Sequence, residues 1–151
     1  KTGIWDALLD FADAGRPLLG ICLGAQILLE QTEEGDQACL GLLPGKCRRF
    51  SFEDAALKVP QIGWNVVHFN TDHPLFHGIP TGLEFYFVHS YFVECVHPSH
   101  VMGETTYGDQ TFASVIGRDH LVATQFHLEK SGRFGLQLLA NFSRWDGRYV
   151  K

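Results

Sequence analysis

A layered α/β domain with a partly parallel sheet follows from three features of this 151-residue sequence. A helix-periodic opening segment runs at once into a short stretch that is apolar at every position. A second helical pattern begins within a few residues of that stretch. Uninterrupted apolarity is what a strand covered on both faces requires, as parallel strands are. Past residue 45 the pattern changes to short strands set off by glycine-containing turns, and helices and strands combined in one chain pack as layers. A chain of this length is expected to form one domain, 1–151, and to bury roughly 68–70% of its unfolded surface, enough to fold without metal or disulfide staples.

The elements follow in order. Ile4, Leu8, Phe11 and Ala12 recur at helical spacing after a capping residue, Thr2, and Gly15 with Pro17 supplies the stop, so a helix is predicted over 2–14. Pro17–Ile21 is the buried strand, and Ala25–Gln31 returns to helical spacing. Seven strands are predicted after that, at Lys46–Phe50, Trp64–Phe69, Leu83–His89, Phe92–Val96, Val101–Tyr107, Thr111–Ile116 and Leu121–His127. Gly108-Asp109 and Gly117-Arg118-Asp119 mark turns, and Gly135–Phe142 closes the chain as a helix with Leu136, Leu139 and Ala140 on one face. No internal repeat, linker or low-complexity tract interrupts the pattern.

Composition narrows the function. Twelve Lys and Arg against 17 Asp and Glu leave a net charge of −5, which argues against nucleic acid and anionic membrane as partners. With 45% hydrophobic and 19% charged residues, neither disorder nor a coiled coil is expected. Four cysteines without a C-x-x-C pair, and no apolar leader, point to a reducing, cytoplasmic setting. The longest apolar stretch, Pro17–Leu29, contains Gly20, Gly24 and Gln26 and is shorter than the about 20 residues a membrane span needs.

Gly20-Ile21-Cys22-Leu23-Gly24 stands where the buried strand turns into a helix and matches the G-x-nucleophile-x-G elbow with cysteine as nucleophile. Such a turn strains the backbone at residue 22 and crowds positions 20 and 24, which glycine relieves. The helix start aims free N–H groups and its positive dipole end at the sulfur, so a lowered thiol pKa and an oxyanion site are expected. A buried structural cysteine is an equal rival on this string alone. A nucleophilic cysteine needs a base and a group to orient it. Of the eight histidines, His127 alone has a carboxylate two residues on, Glu129, at the end of an apolar strand. Alternation along an extended chain would place the two on one side. His73 with His77, and His97 with His100, lie in proline-containing segments without a recognised zinc pattern, and are expected to be solvated loop residues rather than metal ligands. His89 after the strand Phe85–Val88 leaves two readings open, structural or site-flanking.

The chain resembles the class I, triad-type glutamine amidotransferases, and within them the glutaminase subunits of imidazole glycerol phosphate synthases of histidine biosynthesis. The blocks that carry the resemblance are GICLGAQILLE at 20–30, GLLPGKCRRF at 41–50, KVPQIGWNVV at 58–67, YFVHSYF at 86–92 and ATQFHLEKSGRFGLQLLANF at 123–142. The resemblance implies a three-layer, flavodoxin-like fold around a central mixed sheet and a cofactor-free, metal-free hydrolysis of L-glutamine. Cys22 would attack the carboxamide, His127 would move the proton and Glu129 would hold the imidazole. Leu23, Gly24, Gln26, Ser90 and Tyr91 would bind substrate, with the Leu23 amide in the oxyanion hole. Ammonia would pass to a barrel-shaped cyclase subunit, with Trp64, Asn65, Tyr86 and Lys130 at or near that interface. On burial statistics alone, Trp64 in an apolar strand is expected in the core, and Tyr86 and Tyr91 read equally as sheet aromatics.

Two departures are visible. The family's F-H-P-E is Phe126-His127-Leu128-Glu129 here, and leucine in place of a φ-fixing proline is expected to cost little. The family also has a segment ahead of the opening helix, with sheet strands and a Pro-Gly-Val-Gly loop at the oxyanion hole, which residues 1–19 do not match. The expectation is thus of a fold missing its first strands, weakened in activity and with an exposed edge that self-association would cover. The rival readings are a catalytically silent binding domain of the same fold and another class I amidotransferase.

Overall fold

The computed structural model describes residues 3–149, so the expected cap Thr2 lies outside the described residues. Helix α1 spans Ile4–Asp13, with Gly3 as its N-cap. Gly15, at φ 68°, ends it in the left-handed conformation that glycine adopts without penalty. Strand β1 (Leu18–Ile21) leads into the short helix α2 (Leu23–Ile27), which starts two residues earlier and ends four earlier than its apolar pattern predicts. The chain after α2 instead forms a small hairpin, β2 (Gln31–Thr32) and β3 (Gln37–Ala38), across Glu33–Asp36. Polar two-residue strands carry no periodicity to detect.

The remaining strands are β4 (Gly45–Arg49), β5 (Gln61–Phe69), β6 (Leu83–His89), β7 (Tyr91–Cys95), β8 (Val101–Tyr107), β9 (Gln110–Arg118) and β10 (Leu121–Thr124). Helix α3 (Gly132–Arg144) closes the fold, three residues longer at its start than predicted. The ten strands form one mixed sheet ordered β3-β2-β4-β7-β9-β8-β5-β6, with β10 on β9 and β1 on β10. The parallel pairs are β1 with β10 and β2 with β4. The expected strand Leu121–His127 stops at Thr124, and the β9–β10 turn falls at Asp119-His120, starting two residues after the glycine that marks it.

Two hydrophobic clusters cover the two faces of the sheet. Phe112, Val115, Val122 and Leu138 of α3 belong to one, whereas Ala113, Ile116, Ala123, Ala12 of α1 and Ala25 of α2 belong to the other. Helices thus lie over both faces, the layering anticipated for a strand like β1. Gly103 and Glu104 of β8 pair with Val115 and Ala113 of β9, leaving Ser114 as an extra residue. Its carbonyl accepts the Gln125 N–H at 2.8 Å, which anchors the chain just as it leaves β10 for the site below.

Candidate active site

Cys22 sits between the parallel strand β1 and α2 with φ 51° and ψ −102°, a left-handed conformation rare for a non-glycine residue. Its own N–H donates to Thr124 of β10 at 2.8 Å, so sheet pairing holds the strained residue in place. A Cβ at Gly20 would lie 2.6 Å from the Gly24 carbonyl oxygen and 3.0 Å from Ala123 Cβ, which explains glycine at 20. Around Gly24 a Cβ would have open space, so the expected crowding at that position does not occur. The close approach is one-sided: the backbone of residue 24 occupies the place of a side chain at 20.

The sulfur donates weakly to the Val88 carbonyl at 3.8 Å and receives the Gln125 carboxamide at 3.9 Å. Burial raises the Cys22 thiol above its ordinary pKa and the Glu129 charge adds to this, outweighing the Leu23 N–H, Gln125 and Lys130. The expected thiolate is therefore not favoured in this state, because the Leu23 N–H, Gln125 and Lys130 offset desolvation only in part. A thiol that stays protonated needs a base to act.

His127 and Glu129 meet as anticipated but by a different route. Residues Leu128–Lys130 form a 3-10 turn, not an extended strand, and the turn folds Glu129 back to put Oε1 2.6 Å from His127 Nδ1. A carboxylate only accepts, so Nδ1 donates and Nε2 carries the lone pair of the neutral ring. Nε2 is buried and has no hydrogen-bond partner among the described residues. Partial burial works against ionisation of Glu129, but its own N–H, His127 and Lys130 together hold its carboxyl below the usual range. Leu128 is fully buried in the core and starts the 3-10 turn, a position that also suits proline, and the His127–Glu129 bond forms with leucine there. Ser131 fastens the turn to β6: its hydroxyl donates to the His127 carbonyl at 2.6 Å and accepts the Tyr86 N–H at 2.9 Å.

A cavity of about 330 Å³ opens beside the sulfur, lined by Cys22, Leu23, Gln26, Glu34, Pro60, Val88, His89, Ser90 and Tyr91. It brings together Leu23, Gln26, Ser90 and Tyr91 of the sequence-derived set but not Gly24. Sequence reasoning missed Glu34, which reads as part of a solvated acidic run, and Gln125, hidden in an apolar strand. Gln26 is buried, with its amide NH₂ 3.1 Å from the Tyr91 carbonyl and 3.5 Å from the Gln125 oxygen. Elsewhere in the fold, His73 and His100 are buried rather than solvated. Among the described residues, no group of three or more His, Cys, Asp and Glu is arranged to hold a metal.

Trp64, Tyr86 and Lys130 form a second cluster on the surface. Trp64 is 53% exposed, against its core expectation, because β5 turns residues 62, 64 and 68 outward. Its ring meets Tyr86 edge-on at 6.0 Å, and the Lys130 ammonium lies 5.8 Å from the Tyr86 ring centre. Asn65 points to the other side of β5, where its amide donates to the Thr106 carbonyl at 2.9 Å.

The model of the family described as glutamine amidotransferase class-I matches residues 3–144. The imidazole glycerol phosphate synthase subunit HisH of Chromobacterium violaceum is 51% identical, aligning 97% of this chain with 70% of that protein. The subunit of the same name from Nitrosococcus oceani is 53% identical over 89% of this chain and 64% of its own length. For that of Desulfovibrio desulfuricans the figures are 51%, 100% and 74%. Among solved structures, PurLQS from Thermotoga maritima superposes with TM-score 0.70 at 17% identity, over 93% of this chain and 67% of the other. A glutamine amidotransferase from the same organism gives 0.61 at 19%, over 93% and 52%. At such identities these two likenesses concern the fold alone.

Proposed function

The chain belongs to the class-I glutamine amidotransferases, and on that premise we propose that it is the glutaminase subunit of an imidazole glycerol phosphate synthase, hydrolysing L-glutamine through a Cys22 thioester. The observation that carries the reading is a strained elbow cysteine within reach of the charge of Glu129, which orients His127, with a cavity beside the sulfur.

Glutamine enters with its carboxamide at Cys22. Gln26, Ser90 and Tyr91 bind its amino-acid end, where the Glu34 carboxylate supplies a counter-charge for the α-ammonium. His127 Nε2 takes the thiol proton as sulfur attacks the carbonyl carbon, and the Leu23 N–H receives the oxyanion. Collapse breaks the C–N bond, and the imidazolium returns the proton to the leaving nitrogen, releasing ammonia and leaving a thioester. Water then adds with His127 again as base, the C–S bond breaks, and glutamate leaves with the thiol restored. Glu129 keeps Nδ1 protonated and stabilises each imidazolium. No cofactor takes part in these steps.

Ammonia would pass to a cyclase subunit, barrel-shaped in this family, in a cytoplasmic heterodimer. The exposed Trp64, Tyr86 and Lys130 cluster is the surface we assign to that contact, with Asn65 beside it as a brace between β5 and β8. The test is glutamate release from glutamine with the cyclase subunit present. Cys22→Ala is expected to abolish it, while full activity in that variant would sink the thioester assignment. No release from the unmodified protein would favour the silent binding domain.

A further inference from the structure

His89 is buried in the wall between the cavity and the core, on β6, and the proposed chemistry assigns it no step. The rings of Phe50, Phe112 and Phe87 surround it at 5.2, 5.3 and 5.5 Å. Both of its ring nitrogens are nonetheless engaged. Nδ1 lies 2.7 Å from the Tyr91 carbonyl, and because a carbonyl only accepts, Nδ1 must carry the proton. Nε2 lies 2.9 Å from the Gln61 carboxamide oxygen, itself buried. The oxygen and NH₂ of a carboxamide occupy interchangeable places, and a neutral ring protonated at Nδ1 has its lone pair at Nε2, so we assign the flipped orientation, with the Gln61 NH₂ toward the ring.

The Tyr91 carbonyl is therefore gripped twice, by His89 Nδ1 and by the Gln26 amide at 3.1 Å. The preceding carbonyl, that of Ser90, accepts the Phe50 N–H at 3.0 Å. Ser90 is the corner between β6 and β7, and the His89-to-Tyr91 bond closes that corner on itself. Burial depresses the His89 pKa to about 4, and the charge on His127 disfavours a second cation beside it. A ring that stays neutral does not oppose the imidazolium that forms at His127 in each half of the reaction.

We propose that His89 is a positioning residue: locked by Gln61 with its proton on Nδ1, it clamps the Tyr91 carbonyl and thereby fixes the Ser90–Tyr91 wall that receives the amino-acid end of glutamine. The proposal rests on the glutaminase reading of the same site. An asparagine carries its NH₂ near the place of Nδ1, whereas glutamine reaches toward Nε2 and leucine offers volume alone.

Glutamine kinetics with the cyclase subunit present separate these roles. His89→Leu is expected to raise KM at least about tenfold with kcat changed less than about threefold, the size of one lost buried hydrogen bond expressed in binding. His89→Asn recovers most of that KM loss, and His89→Gln does not. Equal KM values for the Asn and Gln variants, an unaltered KM in His89→Leu, or a loss confined to kcat would each overturn the clamp. Should the unmodified protein turn over no glutamine, the glutaminase reading itself fails, and the clamp is then read by long-range ¹⁵N NMR of the His89 ring at pH 7. Protonation at Nδ1 supports it, and protonation at Nε2 overturns it.

Discussion

At the scale of single residues, the resting site keeps its reactive groups uncommitted. Burial holds Cys22 as a thiol, and His127 Nε2 is buried without a hydrogen-bond partner among the described residues, so in the proposed reaction proton transfer waits for a substrate that orders both. Glu129 is the fixed point of the arrangement, because its ionised carboxylate determines which nitrogen of His127 carries the proton. Glu129→Gln removes that control while keeping the size of the side chain. It is expected to lower kcat by about 10²–10⁴, with little loss of stability, since the Glu129 side chain is 50% exposed. Glutaminase kinetics and urea unfolding on the same preparations check both halves. A kcat within threefold of the original would mean that His127 is oriented by something else.

At the scale of elements, β1, α2 and the 3-10 turn at Leu128–Lys130 carry the residues of the proposed chemistry, and the crossing of β1 and α2 depends on one missing side chain. Gly20→Ala would drive its Cβ into the Gly24 carbonyl at 2.6 Å, backbone that cannot swing aside, whereas Gly24→Ala would meet nothing within 4 Å. Overpacking of this kind costs about 1–3 kcal/mol, so Gly20→Ala should lower the urea midpoint clearly and Gly24→Ala much less. Equal losses would contradict the one-sided approach. The same two glycines show how far the sequence could be read. The elbow string exposed the strand, the turn and the strained cysteine, because each demands a residue type at a fixed spacing. It could not show which glycine was crowded, since that depends on how strand and helix cross. The partnership of His127 and Glu129 was legible from spacing, but the 3-10 turn that joins them was not, for three residues are too few to show a period. Glu34 stayed hidden because the cavity joins segments between Cys22 and Tyr91 that only the fold brings together, and Gln125 because it meets Cys22 across 103 residues. Trp64 was misjudged on burial because the identity of a residue does not say which face of an edge hairpin is covered.

At the scale of the whole molecule, two histidines buried on the same side of the sheet tie stability to pH. His89 packs among the phenylalanines described above, and His73 lies against Phe76, Trp145 and Tyr149 while its Nδ1 accepts the Leu75 N–H at 3.1 Å. Desolvation lowers both to about 4 from an ordinary 6.5. The unfolded chain therefore binds more protons than the folded one between those values, and by linkage stability falls as pH drops through that window. Above pH 6.5 both states are neutral at these positions and the contribution is complete; below about 4 it has been lost. At 1.36 kcal/mol per unit the loss for His89 approaches about 3 kcal/mol at its full extent and is about 2 kcal/mol by pH 5, and His73, which borders a cavity, contributes in the same direction. His73→Phe keeps an aromatic ring in the cluster but has nothing to protonate. It should sacrifice the bond to Leu75, and so some stability at pH 7.5, yet lose less than the unmodified protein between pH 7.5 and pH 5. Urea unfolding at the two pH values measures this as a difference of differences, from which the cost of the lost bond cancels. An identical pH dependence in the two proteins would show that His73 is protonated in the folded state at pH 5, and that its site is wetter than the packing of Trp145 and Tyr149 against it requires.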